Sequence, residues 1–285
     1  SQARATPGGS SDREIVMTFA TLMVSVDLGA AAADRIQLAA GLAARFGARL
    51  TGVAACPVPI PMPASEALLL ADDLYESEEE RARERLDGAK ALFEREAGAV
   101  AARSWHAGLG SPSAFLAERA RGADLVLVGR QGPADGDPGP LGVSAGTVLM
   151  EAGRPVLVVP PGLERLDARR VVVAWKDTRE ARRAVRDALP FLAGAERVQV
   201  VAVGSETRRD GAEGTAAYLA AHGVAATAQL LPGQQLGAAD PLLRFAAREE
   251  ADLIVMGAYG HSRLREWAFG GATRDILRTT PICCL

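Results

Sequence analysis

At 285 residues the chain is long enough for two domains, each burying its own core. A formal net charge of −3, from 35 acidic against 32 basic side chains, argues against a nucleic-acid binder, which carries a basic excess. No apolar run reaches the length of a membrane helix. Three cysteines without CxxC spacing and only three histidines give no zinc-ligand pattern and read as buried, reduced thiols.

Residues 1–16, SQARATPGGSSDREIV, are polar and lack the apolar centre of a signal peptide. They read as an expression remnant or disordered tail, with the folded chain starting near Met17. LMVSV at 22–26 is a strand ending at Asp27, and a helix follows from Ala31 to Phe46 with Ile36, Ala40, Ala43 and Phe46 on one face. Gly47 stops it. Arg49–Ala55 is the second strand, and the Pro-rich CPVPIPMP ends regular structure. Ser65–Glu96 is Ala-rich and charged, with pairs such as Glu79–Arg83 one helical turn apart, and predicts a solvated excursion of two helices. Val100–Trp105 is the third strand. GLGSPS at 108–113 lacks the third glycine of a dinucleotide fingerprint, and Ser111 as N-cap with Pro112 at the first helical position explains it. That helix ends near Arg121, and ADLVLV at 123–128 is the fourth strand. Pro155–Val159 is the fifth, and Gly162–Arg169 a linker.

The second half is terser. Val171–Trp175 is a strand and Thr178–Leu192 a helix with Ala181, Val185, Ala188 and Leu192 inward. Arg197–Val203, Gly211–His222, Val224–Leu231, Ala239–Glu250 and Leu253–Met256 alternate strand and helix. A helix over Ala272–Arg278 and a last strand over Pro281–Leu285 complete it. Alternation of short apolar strands with amphipathic helices predicts parallel sheets, because parallel connections need a helical crossover.

The two halves are copies. ADLVLVGRQG at 123–132 matches ADLIVMGAYG at 251–260, an offset of 128 residues, whereas the first strands, LMVSVD at 22–27 and VVVAWK at 171–176, are offset by 149. The 21-residue difference is an insertion in the first half, in the helical excursion near 65–85. Each fourth strand runs into the same glycine spacing, Gly129-x2-Gly132-x9-Gly142 and Gly257-x2-Gly260-x9-Gly270. A glycine turn between a buried strand and a helix start brings free N–H groups and the positive end of a helix dipole to one place, where they suit a phosphate.

With ADLIVMG before it and a helix and strand after it, this spacing resembles the universal stress protein family, over both halves from about Met17 to Leu285. The resemblance implies an α/β fold of the Rossmann-like, adenine-nucleotide-hydrolase-like kind. It implies two repeated five-stranded parallel-sheet domains with helices on both faces, residues 17–161 (with the helical insertion) and 170–285. It also implies a pseudo-dimer within one chain, the fifth strands meeting at the seam; a further homodimer is left open. The implied role is that of a cytoplasmic stress-response protein acting by binding. Its ligand would be ATP or another adenine nucleotide at the glycine turns, or a partner.

By the same resemblance, an acid at the end of the first strand contacts the nucleotide. That is Asp27 in the first half, whereas Lys176 stands there in the second. ATP-binding members place Ser or Thr directly after the third glycine; here the residues are Val143 and Gly271, with Ser144 and Thr273 the nearest hydroxyls. The first-half turn carries Asp135 and Asp137, which repel a triphosphate unless magnesium intervenes. The second-half turn carries His261, Arg263 and Arg265, which attract one. The candidate nucleotide-binding residues are therefore Gly257, Gly260, His261, Arg263, Gly270, Gly271, Ala272 and Thr273 in the second half. In the first they are Asp27, Gly129, Gly132, Gly142 and Ser144. No GxSxG elbow or GxxxxGK[ST] loop is present, so nucleophilic catalysis and a P-loop NTPase are disfavoured and no catalytic or metal-ligating residue is expected. The alternatives are a slow ATPase or nucleotide-dependent phosphotransferase, or a nucleotide-free scaffold.

Overall fold

A computed structural model describes residues 18–59, 71–204, 209–232, 239–258 and 271–285, with backbone only for 71–73 and 271–274. The segment 1–16 lies outside the described residues. In the first half, strands β1 (Thr21–Ser25), β2 (Arg49–Cys56), β3 (Arg103–Leu109), β4 (Leu125–Gly129) and β5 (Val156–Val159) alternate with helices α1 (Ala32–Phe46), α2 (Ala71–Glu96), α3 (Pro112–Arg119) and α4 (Ala145–Glu151). The second half contributes β6 (Arg170–Trp175), β7 (Arg197–Val203), β8 (Ala226–Leu231), β9 (Leu253–Met256) and β10 (Cys283–Cys284). Its helices are α5 (Arg179–Asp187), α6 (Leu189–Leu192), α7 (Arg209–Ala221), α8 (Ala239–Arg248) and α9 (Gly271–Thr279).

The strand order is β3-β2-β1-β4-β5-β10-β9-β6-β7-β8. Each half is the same five-stranded parallel arrangement, and the two are joined edge to edge into one ten-stranded sheet. The seam is the antiparallel pairing of β5 with β10, Val158 opposite Cys284. The chain end is held there by Met256 N–H to Leu285 O and Leu285 N–H to Ile254 O, both 2.8 Å. The strands β1, β4, β5, β6 and β9 are buried almost throughout, as parallel strands covered on both faces must be.

On one face α1, α2, α5, α6 and α7 cover a single cluster that crosses the seam. Phe19 and Phe46 of the first half meet Phe191 of the second in a ring triad with centroid separations of 5.2 to 5.4 Å. On the other face the halves keep separate clusters, around Val126 and Leu116 in the first and Ile254 and Phe245 in the second. Helix α9 bridges these: Ile276 belongs to the second cluster while Leu277 packs against the first.

Three elements differ from the sequence expectation. Residues 71–96 form one helix, not two, because Ala82, Leu86, Ala89 and Phe93 make an unbroken buried stripe at helical spacing; residues 65–70 are outside the described part. The third strand runs over 103–109 instead of 100–105: Val100 is buried against the end of α2, its N–H on Ala97 O, and the edge strand that follows is half exposed, so its apolar signal is weak. The helix expected over 178–192 breaks at Ala188 into α5 and α6, since Pro190 cannot donate in a helix interior and suits a first turn. The 162–169 connection is packed down, with Leu166 and Ala168 buried and Arg45 Nη1 donating to Asp167 O at 2.6 Å.

Candidate functional site

In a doubly wound sheet, ligands sit beyond the carboxyl ends of the strands where the chain leaves to opposite faces. In the first half that point is between β1 and β4, and a cleft opens there, lined by residues that include Ser25, Asp27, Arg35, Gly129, Arg130, Asp135 and Asp137. Its volume is about 30 Å³, room for a water molecule or two.

The cleft is small because the chain fills it. Arg35, on the second turn of α1, is 3% exposed and Asp27, just past β1, 6%. The guanidinium donates from Nη2 to Asp27 Oδ2 at 2.7 Å and from Nε to Ser25 O at 3.0 Å. It lies so close over Gly129 that a methyl on that glycine would overlap Nη1. The other oxygen of Asp27 accepts the Gly29 N–H at 2.9 Å. Both halves of a buried ion pair are thus bonded, the condition under which such a pair is tolerated.

The glycine turn after β4 is closed in the same way. Arg130 donates from Nε to Asp135 Oδ2 at 2.8 Å, and that oxygen also accepts the Gly132 N–H at 2.6 Å. Asp137 Oδ1 accepts the Gly139 N–H at 2.8 Å. The Arg130 guanidinium and the Gly132 amide hold the Asp135 carboxyl below the usual carboxylate range. Gly132 has no room for a side chain because the carbonyl of Arg278 occupies it, and Gly142 none because Pro138 does. Arg130 Nη1 reaches across the seam to Thr280 O, 2.6 Å away, at the end of α9. Ser144 N-caps α4, its Oγ accepting the Thr147 N–H at 3.4 Å; Val143 is buried in the first-half core.

The second half presents a different strand end. Lys176 occupies the position of Asp27, and Ala184 that of Arg35, at the 149-residue offset. Thr178 caps α5 by accepting the Ala181 N–H at 3.3 Å, and Asp177 pairs with Arg182 at 2.5 Å. Gly257 ends β9 against that first turn: a side chain there would overlap the Ala181 nitrogen and the Glu180 carbonyl carbon. The end of β9 and the N-terminus of α5 therefore touch, and α9 starts at Gly271. Gly260, His261, Arg263 and Gly270 lie outside the described residues; Gly271, Ala272 and Thr273 form the first turn of α9. Among the described residues no group of His, Cys, Asp and Glu side chains could hold a metal ion, and no helix is long and apolar enough to cross a membrane.

Of the sequence-derived residues, Asp27 and Gly129 come together in the first cleft, and Gly132 is bonded to Asp135, which lines it. Sequence reasoning missed Arg35 and Arg130. Arg35 carried a signal: it falls on the buried stripe Ala32, Ile36, Ala39, Ala43 of α1, where an arginine needs a partner.

A family model described as the universal stress protein family matches residues 18–160 and again 168–285. A curated universal stress protein of Synechocystis sp. is 28% identical over 169 residues, 56% of this chain and 56% of its own length; the match thus spans about half of that relative. Among solved structures, a universal stress protein from Archaeoglobus fulgidus DSM 4304 superposes with a TM-score of 0.68 at 15% identity, over 93% of this chain and 96% of that one. A functionally unknown protein from Pseudomonas aeruginosa PAO1 does so with a TM-score of 0.53 at 16% identity, over 93% and 91%. At these identities the likeness to solved structures is one of fold.

Proposed function

The chain belongs to the universal stress protein family, and from that premise we propose that it is a stress-response protein acting by retention of an adenine nucleotide, ATP with magnesium, at its second glycine turn. The observation that carries this reading is the contact of Gly257 with the first turn of α5. It brings Gly257, the first glycine of the second spacing, to one helix N-terminus, a setting in which main-chain N–H groups and helix dipoles favour a phosphate. The residues assigned to this site from the sequence are Gly257, Gly260, His261, Arg263 and Gly270 to Thr273, with Arg263 bringing positive charge. The first-half set, Asp27, Gly129, Gly132, Gly142 and Ser144, contributes less, because Asp27, the Gly132 amide and the Ser144 hydroxyl already have partners within the protein, Arg35 and Gly29, Asp135, and Thr147.

Mass spectrometry of small molecules released from the denatured protein, with thermal-shift titration of ATP and magnesium, tests the reading. The expected outcome is an adenine nucleotide recovered intact in stoichiometric amount and a rise in Tm. Arg263→Ala is expected to weaken binding by roughly ten- to a hundredfold, the loss of one hydrogen bond to a charged group. Neither released nucleotide nor a shift would end the proposal, and multiple-turnover release of ADP would replace retention by catalysis.

A further inference from the structure

The duplication supplies its own comparison, and the matching strand ends are built to opposite effect. Among the described residues, every charged group lining the first-half cleft has an internal partner. Asp27 is bonded to Arg35 and the Gly29 amide, Asp135 to Arg130 and the Gly132 amide, and Asp137 to the Gly139 amide. Asp135 and Asp137 thus stand as anions on the N–H groups a phosphate would need, and Arg35 lies across the ends of β1 and β4. Among the described residues, one buried polar side chain lining the cleft is left over: the hydroxyl of Ser25, 1% exposed and without a hydrogen-bond partner. In the second half Ala184 replaces Arg35, and Gly257 makes room for the first turn of α5, where Gly129 makes room for a guanidinium.

We infer that the first half is a sealed copy, closed at its strand ends by Arg35 and at its turn by Asp135 and Asp137, so that each chain holds one nucleotide, in the second half. The seal rests on the first cleft alone; the stoichiometry rests on the binding reading above.

Two experiments separate these. Ser25→Cys places a thiol inside the cleft, and its alkylation by iodoacetamide is compared in the otherwise native chain and together with Asp27→Asn and Arg35→Ala, which remove both partners of the ion pair. Labelling at residue 25 is expected to quicken at least tenfold in the second protein, while buried Cys56 stays slow. Equal rates at residue 25, or a rise matched at Cys56, would overturn the seal. Photolabelling of the native protein with 8-azido-ATP and magnesium is expected to saturate at one label per chain, within peptides from 170–285. Two labels per chain, or label within 18–160, would overturn the inference. Absence of any label together with no thermal shift would instead remove the binding reading, and the alkylation result would still decide the seal.

Discussion

Arg35 and Asp27 are both shut away from water, so removing either one strands the other as a buried, unbalanced charge. Arg35→Ala is expected to destabilise the fold by about 3–5 kcal/mol. The double replacement of Arg35 and Asp27 by Leu and Asn is expected to recover most of that loss, and urea titration of the three proteins measures it. Asp135 makes a second prediction. Its folded carboxyl is easier to ionise than the unfolded one, so its contribution is complete above about pH 4, the ordinary carboxylate value. It is lost as falling pH carries the group through its lowered folded value. Asp135→Asn should therefore lower Tm at pH 7 and flatten the decline below pH 4; an acid limb as steep as that of the parent would refute the assignment. At this scale the sequence is an incomplete guide. Asp27 was visible as an acid closing a strand, but that its partner would come from α1, eight residues on, depends on how that helix sits over Gly129. The Arg130 contact with Thr280 joins residues 150 apart and has no local trace.

Among the elements, α6 is short but holds a central place. Its Phe191 is fully buried between Phe19 and Phe46, so Phe191→Ala is expected to cost about 3–5 kcal/mol, a large core truncation, measurable by denaturation. The break that creates α6 was readable from Pro190, and only the apolar spacing through Leu192 obscured it. The edge strand β3 was harder, because half-exposed strands lack the continuous apolar run that marks β4 and β9. Strand β10 carries two thiols that burial pushes up to about 12. At pH 8 both are expected to resist alkylation until the protein unfolds, a point that iodoacetamide labelling with and without urea settles; rapid labelling in the folded state would mean that the seam opens.

For the molecule as a whole, one buried cluster crosses the seam, so the two copies are expected to unfold as a single unit. Urea unfolding is expected to give one transition, coincident by far-UV circular dichroism and tryptophan fluorescence. A chain ending at residue 160 would leave the β5 edge and two rings of the triad, Phe19 and Phe46, uncovered, and is expected to associate or unfold; two separated transitions would show that the halves fold alone. The repeat itself was legible at this scale, since glycine spacing and two offsets locate both copies and the insertion between them. The exchange of Asp27 for Lys176 and the opposite charges of the two turns already set the copies apart in sequence; that Arg35 closes the first-half strand ends over Gly129 was not disclosed, because it lies in packing and not in spacing.

The pairing of β5 with β10 uses, within one polypeptide, the edge at which two separate five-stranded units would otherwise zip together. Neither β5 nor β10 is left as an open edge of the sheet. The edges that stay open in the ten-stranded sheet are its outer margins, β3 and β8, the equivalent strands of the two copies.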